Sequence, residues 1–232
     1  AADGAAAQQI IDRLTTQVEG NRQSISNAFD GVSLTQVAEG GLAGITEDVN
    51  RIRELSIQSG NGLLTDSDRQ AIQSEVTQLQ DNISQTIEQT EFAGKSLLSS
   101  DGNIDFQIGA NAGQKIGVAT QDVAASLNDI LNVDLSTAQG AEDAIAVADD
   151  AAEFVDSARA DLGATQNQFE SAARNLTQTD INVSAARSRI QDTDFAQATS
   201  ENAAASILSQ TSLAVQGIAN QQQGQVLSLL NG

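Results

Sequence analysis

Apolar residues return every seven positions through much of the second half of the chain. Ala141, Ala148, Val155, Leu162, Phe169, Leu176, Val183 and Ile190 form one row. Ala144, Ala151, Ala158, Thr165, Ala172, Thr179 and Ala186 form a second row, three residues on. Two rows at this spacing share one face of a helix and make an a/d seam. A row of large residues beside a row of small ones suits close helix–helix packing. As one continuous helix, 141–190 would span roughly 75 Å, with Gly163 as its one weak position.

Earlier segments carry matching seams. Ile11, Val18, Ile25 and Val32 lie seven apart, and Ala38, Leu42, Ile45, Val49 and Ile52 continue in alternating steps of four and three. This pattern predicts a helix over about 5–60, ended by Ser59-Gly60-Asn61-Gly62. Thr65-Asp66-Ser67-Asp68 reads as the start of a second helix, 66–90, with carboxylates at the positive end of its dipole. Its seam is Ile72, Val76, Leu79, Ile83 and Ile87, and Gly94 follows its end.

The period then changes from seven to two. Asn103–Gly109 and Lys115–Ala119 alternate polar and apolar residues around Ala110-Asn111-Ala112-Gly113-Gln114, which predicts one β-hairpin over about 103–120. Residues 121–139 read as loop with a short helical turn. The stretch 193–230 is helical in pattern but different in kind: Ile207, Leu208, Val215, Ile218, Val226, Leu227, Leu229 and Leu230 form a stripe wider than a two-helix seam needs. That width points to a partner outside the long bundle. Asp192 and Asp194 read as the cap of this separate helix. The expected class is therefore mainly α: a long antiparallel, coiled-coil-like bundle over 1–192 with one small hairpin, and a C-terminal helix over 193–232.

Composition narrows the chemistry. The 232-residue chain has no Cys, His, Trp, Tyr, Met or Pro, and its aromatics are six Phe. The usual zinc, haem and copper ligand sets cannot be assembled from what remains. Neither can a Ser–His–Asp triad, a Cys nucleophile or a His base. No proline interrupts a long helix. The formal charge of −20 repels nucleic acid and anionic lipid, so neither is an expected partner. No run of about 18 apolar residues suggests a membrane span, and Ala1–Gln8 lacks the layout of a cleaved signal. Asp66 and Asp68 read as caps, the pairs Glu142-Asp143 and Asp149-Asp150 as solvated helix face. None has the ligand spacing and central glycine of a calcium loop.

The motifs resemble bacterial flagellin along nearly the whole chain. Asn27-Ala28-Phe29-Asp30-Gly31-Val32-Ser33-Leu34 with Ala38-Glu39-Gly40, and Arg51-Ile52-Arg53-Glu54-Leu55-Ser56-Ile57-Gln58-Ser59, are similar to signatures of the family's first half. Phe106-Gln107-Ile108-Gly109-Ala110-Asn111-Ala112-Gly113 resembles its hairpin motif. Arg159–Phe169, Ser188–Asp194 and the ending Val226-Leu227-Ser228-Leu229-Leu230 resemble signatures of its second half. Gln168 departs from a usual Arg, and Phe29 from a frequent Asn.

The resemblance implies a non-enzymatic subunit, without cofactor, that is exported by a type III route and polymerises outside the cell into a filament for motility. Its partners would be other flagellin subunits. The short middle implies the absence of a large variable domain, including the zinc peptidase some members carry. Ala1–Ala7 resembles a point inside the family's N-terminal region, so a leading helix of some tens of residues is expected before it, to coil with 193–232 at the filament centre. The tail residues, Ile207 to Leu230, would also be held by an export chaperone before assembly. Flagellins of the β and γ groups are detected by Toll-like receptor 5. The positions matching that contact motif are Arg51, Leu55 and Glu75, with Arg51 and Leu55 one turn apart on one helix. A plainer reading pairs Arg51 with Glu47 on a solvated surface. A hook-filament junction protein, or a secreted coiled-coil adhesin or scaffold, would share many of these features.

Overall fold

The computed structural model describes the backbone of residues 2–230 and side chains from 5 to 219. Five helices and four strands follow in the order α1 (Ala2–Ser59), α2 (Asp66–Gln89), β1 (Glu91–Phe92), β2 (Lys95–Ser96), β3 (Ser99–Gln107), β4 (Lys115–Asp122), α3 (Val123–Ser126), α4 (Asn128–Leu131) and α5 (Ala138–Leu230). The chain divides into two compact units, one of Gly20–Thr179 and the other of Ala1–Glu19 with Asp180–Gly232.

In the Gly20–Thr179 unit the α1 seam is longer and more polar than its apolar residues suggest. Buried positions run Asn21, Ser24, Ala28, Gly31, Thr35, Ala38, Leu42, Ile45, Val49, Ile52, Ser56 and Ser59, in steps of three and four. Ile25 and Val32, expected in this row, are only half-buried. Small polar residues take their place because they let neighbouring helices come close. Ser24 and Ser56 satisfy their hydroxyls on the carbonyls of Gly20 and Ile52, both at 2.8 Å, so burial leaves them no unmet donor. The helix stops where Gly60 N–H bonds the Ser56 carbonyl at 3.0 Å and Gly60-Asn61-Gly62 turns the chain.

The helix α2 starts as its sequence predicts. Thr65 caps the Asp68 amide, and the Asp68 carboxylate reaches back to the Thr65 amide at 2.9 Å, a complete capping box. Arg69 is 7% exposed and ties the loop down, donating to the carbonyls of Ser59, Asn61 and Leu64. Ile72, Val76, Ile83 and Ile87 bury the expected face, with Leu79 half-buried. Gln73 and Gln80 on its flank bond the backbone of Val133, Leu135 and Ile130 and so hold the 130–135 segment.

The predicted hairpin is present and larger than expected. β3 and β4 pair antiparallel from Gly102↔Thr120 to Gln107↔Lys115, and an irregularity between Ser99 and Gly102 lets pairing resume at Ser99↔Asp122. A second hairpin, β1–β2, was not legible in the alternation. Its strands are two residues each, and its turn is Ala93-Gly94, both with positive φ (50° and 75°), the conformation of a type I′ turn. Asn27 donates to the Gln107 carbonyl at 2.8 Å and fixes the larger hairpin to α1.

The core of this unit centres on Phe169, which is fully buried and meets Phe106 edge-to-face at 5.4 Å between centroids. Its ring lies against Gly31, where an added Cβ would come within 2.5 Å of the ring. Glycine is therefore required at 31 by space, not by backbone conformation. Ala141, Ala144, Ala148, Ala151, Val155 and Ala158 form the buried face of α5 in this unit, as the heptad predicts.

In the other unit, Ile11 and Val18 are buried, while Val183, Ala186 and Ile190 are half-buried. Asp192 and Asp194 do not begin a helix. They lie inside α5, which continues without a break to Leu230. No residue near them halts the helix: the nearest glycine or proline signal is Gly217, so nothing ends one helix to start another.

Candidate assembly and recognition surfaces

Two surfaces carry the residues singled out above. The first is on α1 and α2 in the Gly20–Thr179 unit. Arg51 is on the solvent side of α1, next to the buried Ile52, and its side chain is 48% exposed. Its guanidinium holds Glu75 on α2 through Nε at 2.9 Å and Nη2 at 2.8 Å, and Glu54 through Nη1 at 2.9 Å. The fork closes on one carboxylate oxygen of Glu75 and so links the two helices. Glu75 and then Glu54 hold the Arg51 guanidinium even more firmly in its charged form than an ordinary arginine. The expected surface pair with Glu47 is replaced by these two partners.

Leu55 lies apart from this exposed pair. It is 2% exposed and belongs to the core with Ile52 and Val76. One helical turn from Arg51, it sits on the edge where the exposed face rolls into the seam. One turn apart on α1, Arg51 and Leu55 differ in exposure: Arg51 and Glu75 lie at the surface, and Leu55 packs beneath. Arg53, not singled out from sequence, makes the neighbouring ion pair to Asp149 of α5 at 2.5 Å. Only its place one turn before the buried Ser56, near the end of the helix, could have signalled it.

The second surface is the C-terminal part of α5. Every described residue from Phe195 to Ala219 is exposed. Ile207 is 63% exposed, Leu208 70%, Val215 59% and Ile218 59%. At about 100° per residue, these four fall on one stripe with Ala204 and Thr211 between them. Leu213, 66% exposed, was missed because it lies about 240° round from Ile207, on the opposite side, with Phe195 in line with it. The helix is thus apolar on two faces, and this kind of helix is at rest only when surrounded. The side chains of Val226, Leu227, Leu229 and Leu230 lie outside the described residues.

Among the described residues no group of carboxylates is placed to hold a metal ion, and no helix is long and apolar enough to cross a membrane. A cavity of about 60 Å³ between Leu34, Leu42, Leu98, Val118 and Leu162 has room for a water or two.

Comparison with known proteins agrees along the chain. Residues 1–103 match the family described as "Bacterial flagellin N-terminal helical region", and residues 145–230 the "Bacterial flagellin C-terminal helical region". Flagellin of Bacillus subtilis (strain 168) is 37% identical over an alignment covering 99% of this chain and 87% of that protein. The flagellar filament 30.7 kDa core protein of Treponema maltophilum is also 37% identical, covering 100% and 87%. The crystal structure of Bacillus cereus flagellin superposes with a TM-score of 0.61 at 26% identity, covering 70% of this chain and 94% of that one. The chain belongs to the bacterial flagellins and is a structural subunit of the flagellar filament.

Proposed function

We propose that the two units divide the work of a filament subunit: Gly20–Thr179 forms an outer, stable body, and the tail of α5 is the segment buried by other subunits on assembly. What supports this is the contrast in exposure. A row of Ile207, Leu208, Val215 and Ile218, each more than half exposed, is costly in water and gains about 1.5–3 kcal/mol per side chain on burial. Apolar residues on two faces of the helix call for more than one neighbour, as the interior of a tube provides. The same face would be covered before assembly by an export chaperone, after which a type III route delivers the subunit outside the cell.

The test is Val215→Asp together with Leu208→Asp. Filaments fail to form on seeds of the parent protein, while the melting of the Gly20–Thr179 body is unchanged. Normal elongation by this variant would overturn the assignment. For the chaperone, added partner protein protects amides of 204–219 from hydrogen exchange; unchanged exchange there would overturn its binding to this stretch.

A second reading rests on the exposed Arg51–Glu75 pair. We infer that this pair is the contact for Toll-like receptor 5, with Leu55 supporting it from the core. Arg51→Ala and Glu75→Ala then lose activation of receptor-bearing cells with little change in stability. Activation equal to that of the parent would sink this reading.

A further inference from the structure

We propose that Asn61 is a site of spontaneous chemical modification: its side-chain amide is converted to aspartate and isoaspartate in the folded protein. Asn61 and Gly62 lie in the exposed turn between α1 and α2. Glycine has no side chain to hinder its amide nitrogen, and a Cβ at 62 would meet nothing within 4 Å, so the surroundings are open. The Gly62 amide has no carbonyl partner in the turn, whereas the amides of Gly60, Asn61 and Leu64 all do. Meanwhile the Asn61 side-chain oxygen accepts from the Leu63 amide at 3.0 Å. That bond withdraws charge from Cγ and stabilises the oxyanion that forms when Cγ is attacked.

The reaction needs only water. The Gly62 nitrogen gives up its proton and attacks Asn61 Cγ; a new C–N bond closes a five-membered succinimide. The Cγ–Nδ2 bond breaks, and the side-chain nitrogen leaves as ammonia with the displaced proton. One water then opens the imide. Attack at Cγ yields aspartate; attack at the Asn61 main-chain carbonyl yields isoaspartate, whose backbone runs through the former side chain. One ammonia is lost, one water is gained, and no oxidant or reductant takes part.

The consequence is local and one-way. The Asn61 carbonyl, at 3.3 Å, is one of three that hold the buried Arg69 guanidinium, and it also accepts from the Leu64 amide at 3.1 Å. Isoaspartate lengthens the backbone at this point and moves that carbonyl. Either product puts a new negative charge beside a cation that donates to the neutral carbonyls of Ser59, Asn61 and Leu64. The loop that leads into the α2 cap therefore loosens as the protein ages.

The experiment incubates the folded protein at neutral to mildly alkaline pH, then denatures it and digests after arginine. The peptide Glu54–Arg69 contains Asn61 as its only asparagine. Its Asn61 accumulates the mass gain of NH2 replaced by OH several-fold faster than the exposed Asn111, followed by Ala112, which fragmentation locates among the five asparagines of the peptide Gln70–Arg159. Isoaspartate is the larger share of the product. Gly62→Ala, which the open space allows, slows conversion by roughly an order of magnitude while leaving the helical signal intact. Conversion at Asn61 no faster than at Asn111, or equal in Gly62→Ala, would overturn the proposal. In the aged parent the Leu64 amide exchanges faster than in fresh protein; identical exchange would overturn the structural consequence.

Discussion

Phe169 and Phe195 sit on the same helix, 26 residues apart, and meet opposite fates. Phe169 is fully buried, held by Phe106 and the space over Gly31. Phe195 is 75% exposed and starts a stretch in which no described side chain is covered. The chemistry of the two residues is identical. The difference lies in the seam: around Phe169 the apolar row is one-sided and matched by α1 and the hairpin, while beyond Phe195 it is two-sided. One row builds a subunit, and the other is left for a neighbour to cover.

The sharpest way to break this contrast is to shorten both rings. Phe169→Ala costs about 3–5 kcal/mol, because the cavity is walled by β-hairpin and helix and cannot collapse. Phe195→Ala leaves the thermal midpoint of the isolated chain unchanged within about 0.5 kcal/mol. Equal losses in denaturant melts would mean that the tail already has a partner within the chain.

A smaller effect comes from the glycines. Gly31→Ala drives a methyl into the Phe169 ring, for a loss of about 1–3 kcal/mol by overpacking. Gly217→Ala meets nothing within 4 Å and steadies the tail helix by about 0.5–1 kcal/mol. Circular dichroism melts should move in opposite directions, and a shift of the same sign would remove the distinction between a packed and an open glycine.

The smallest effect is electrostatic and belongs to the capped edge of the body. Hydrogen bonds from the Thr65 side chain, then its backbone, hold Asp68 below the ordinary carboxylate value of 3.8. Ser136 does the same for Asp134. A depressed folded value gives stability that is present above the unfolded value and lost as pH falls through the folded one. The destabilisation caused by Asp68→Asn is therefore full at neutral pH and fades below about 3.8. Asp48 has the opposite sign, because burial raises it ahead of the opposing bond from Asn82. Asp48→Asn thus stabilises at neutral pH, and the gain shrinks as acid protonates the parent. Melting temperatures of the two variants should lie on opposite sides of the parent's at neutral pH and converge on it as pH falls.

Much of the helical fold was legible in the residues. Thr65 with Asp68, and Gly60 with Gly62, mark a helix start and stop by local chemistry that no distant contact overrides. The α5 seam from Ala141 to Phe169 was legible because its rows are apolar and strictly spaced. The seam of α1 between Asn21 and Thr35 was not, because its buried positions are Asn, Ser, Ala, Gly and Thr, which a search for large apolar residues passes over. The burial of Leu55 was not legible for a related reason: one turn from Arg51 is near enough to share a helix side, yet far enough round to enter the core. Leu213 escaped because a search for one stripe does not look for a second. Asp192 and Asp194 have the composition of a cap, but a cap works only where the backbone leaves the helix, and here it does not.

The space over Gly31 has one more consequence. Along α5, Ala141, Ala144, Ala148, Ala151 and Ala158 are nearly interchangeable knobs, and Ser24 and Ser56 on α1 bond within their own helix rather than across. A seam of this kind gives little resistance to sliding by one heptad. Phe169 over Gly31 does resist it: a seven-residue slip would set the ring against Ser24 or Ala38, both of which carry a Cβ. Within the apolar seam this one peg in one notch therefore sets the alignment of two long, repetitive helices, much as one keyed tooth fixes the phase of an otherwise uniform gear, with the Arg53–Asp149 ion pair at its edge.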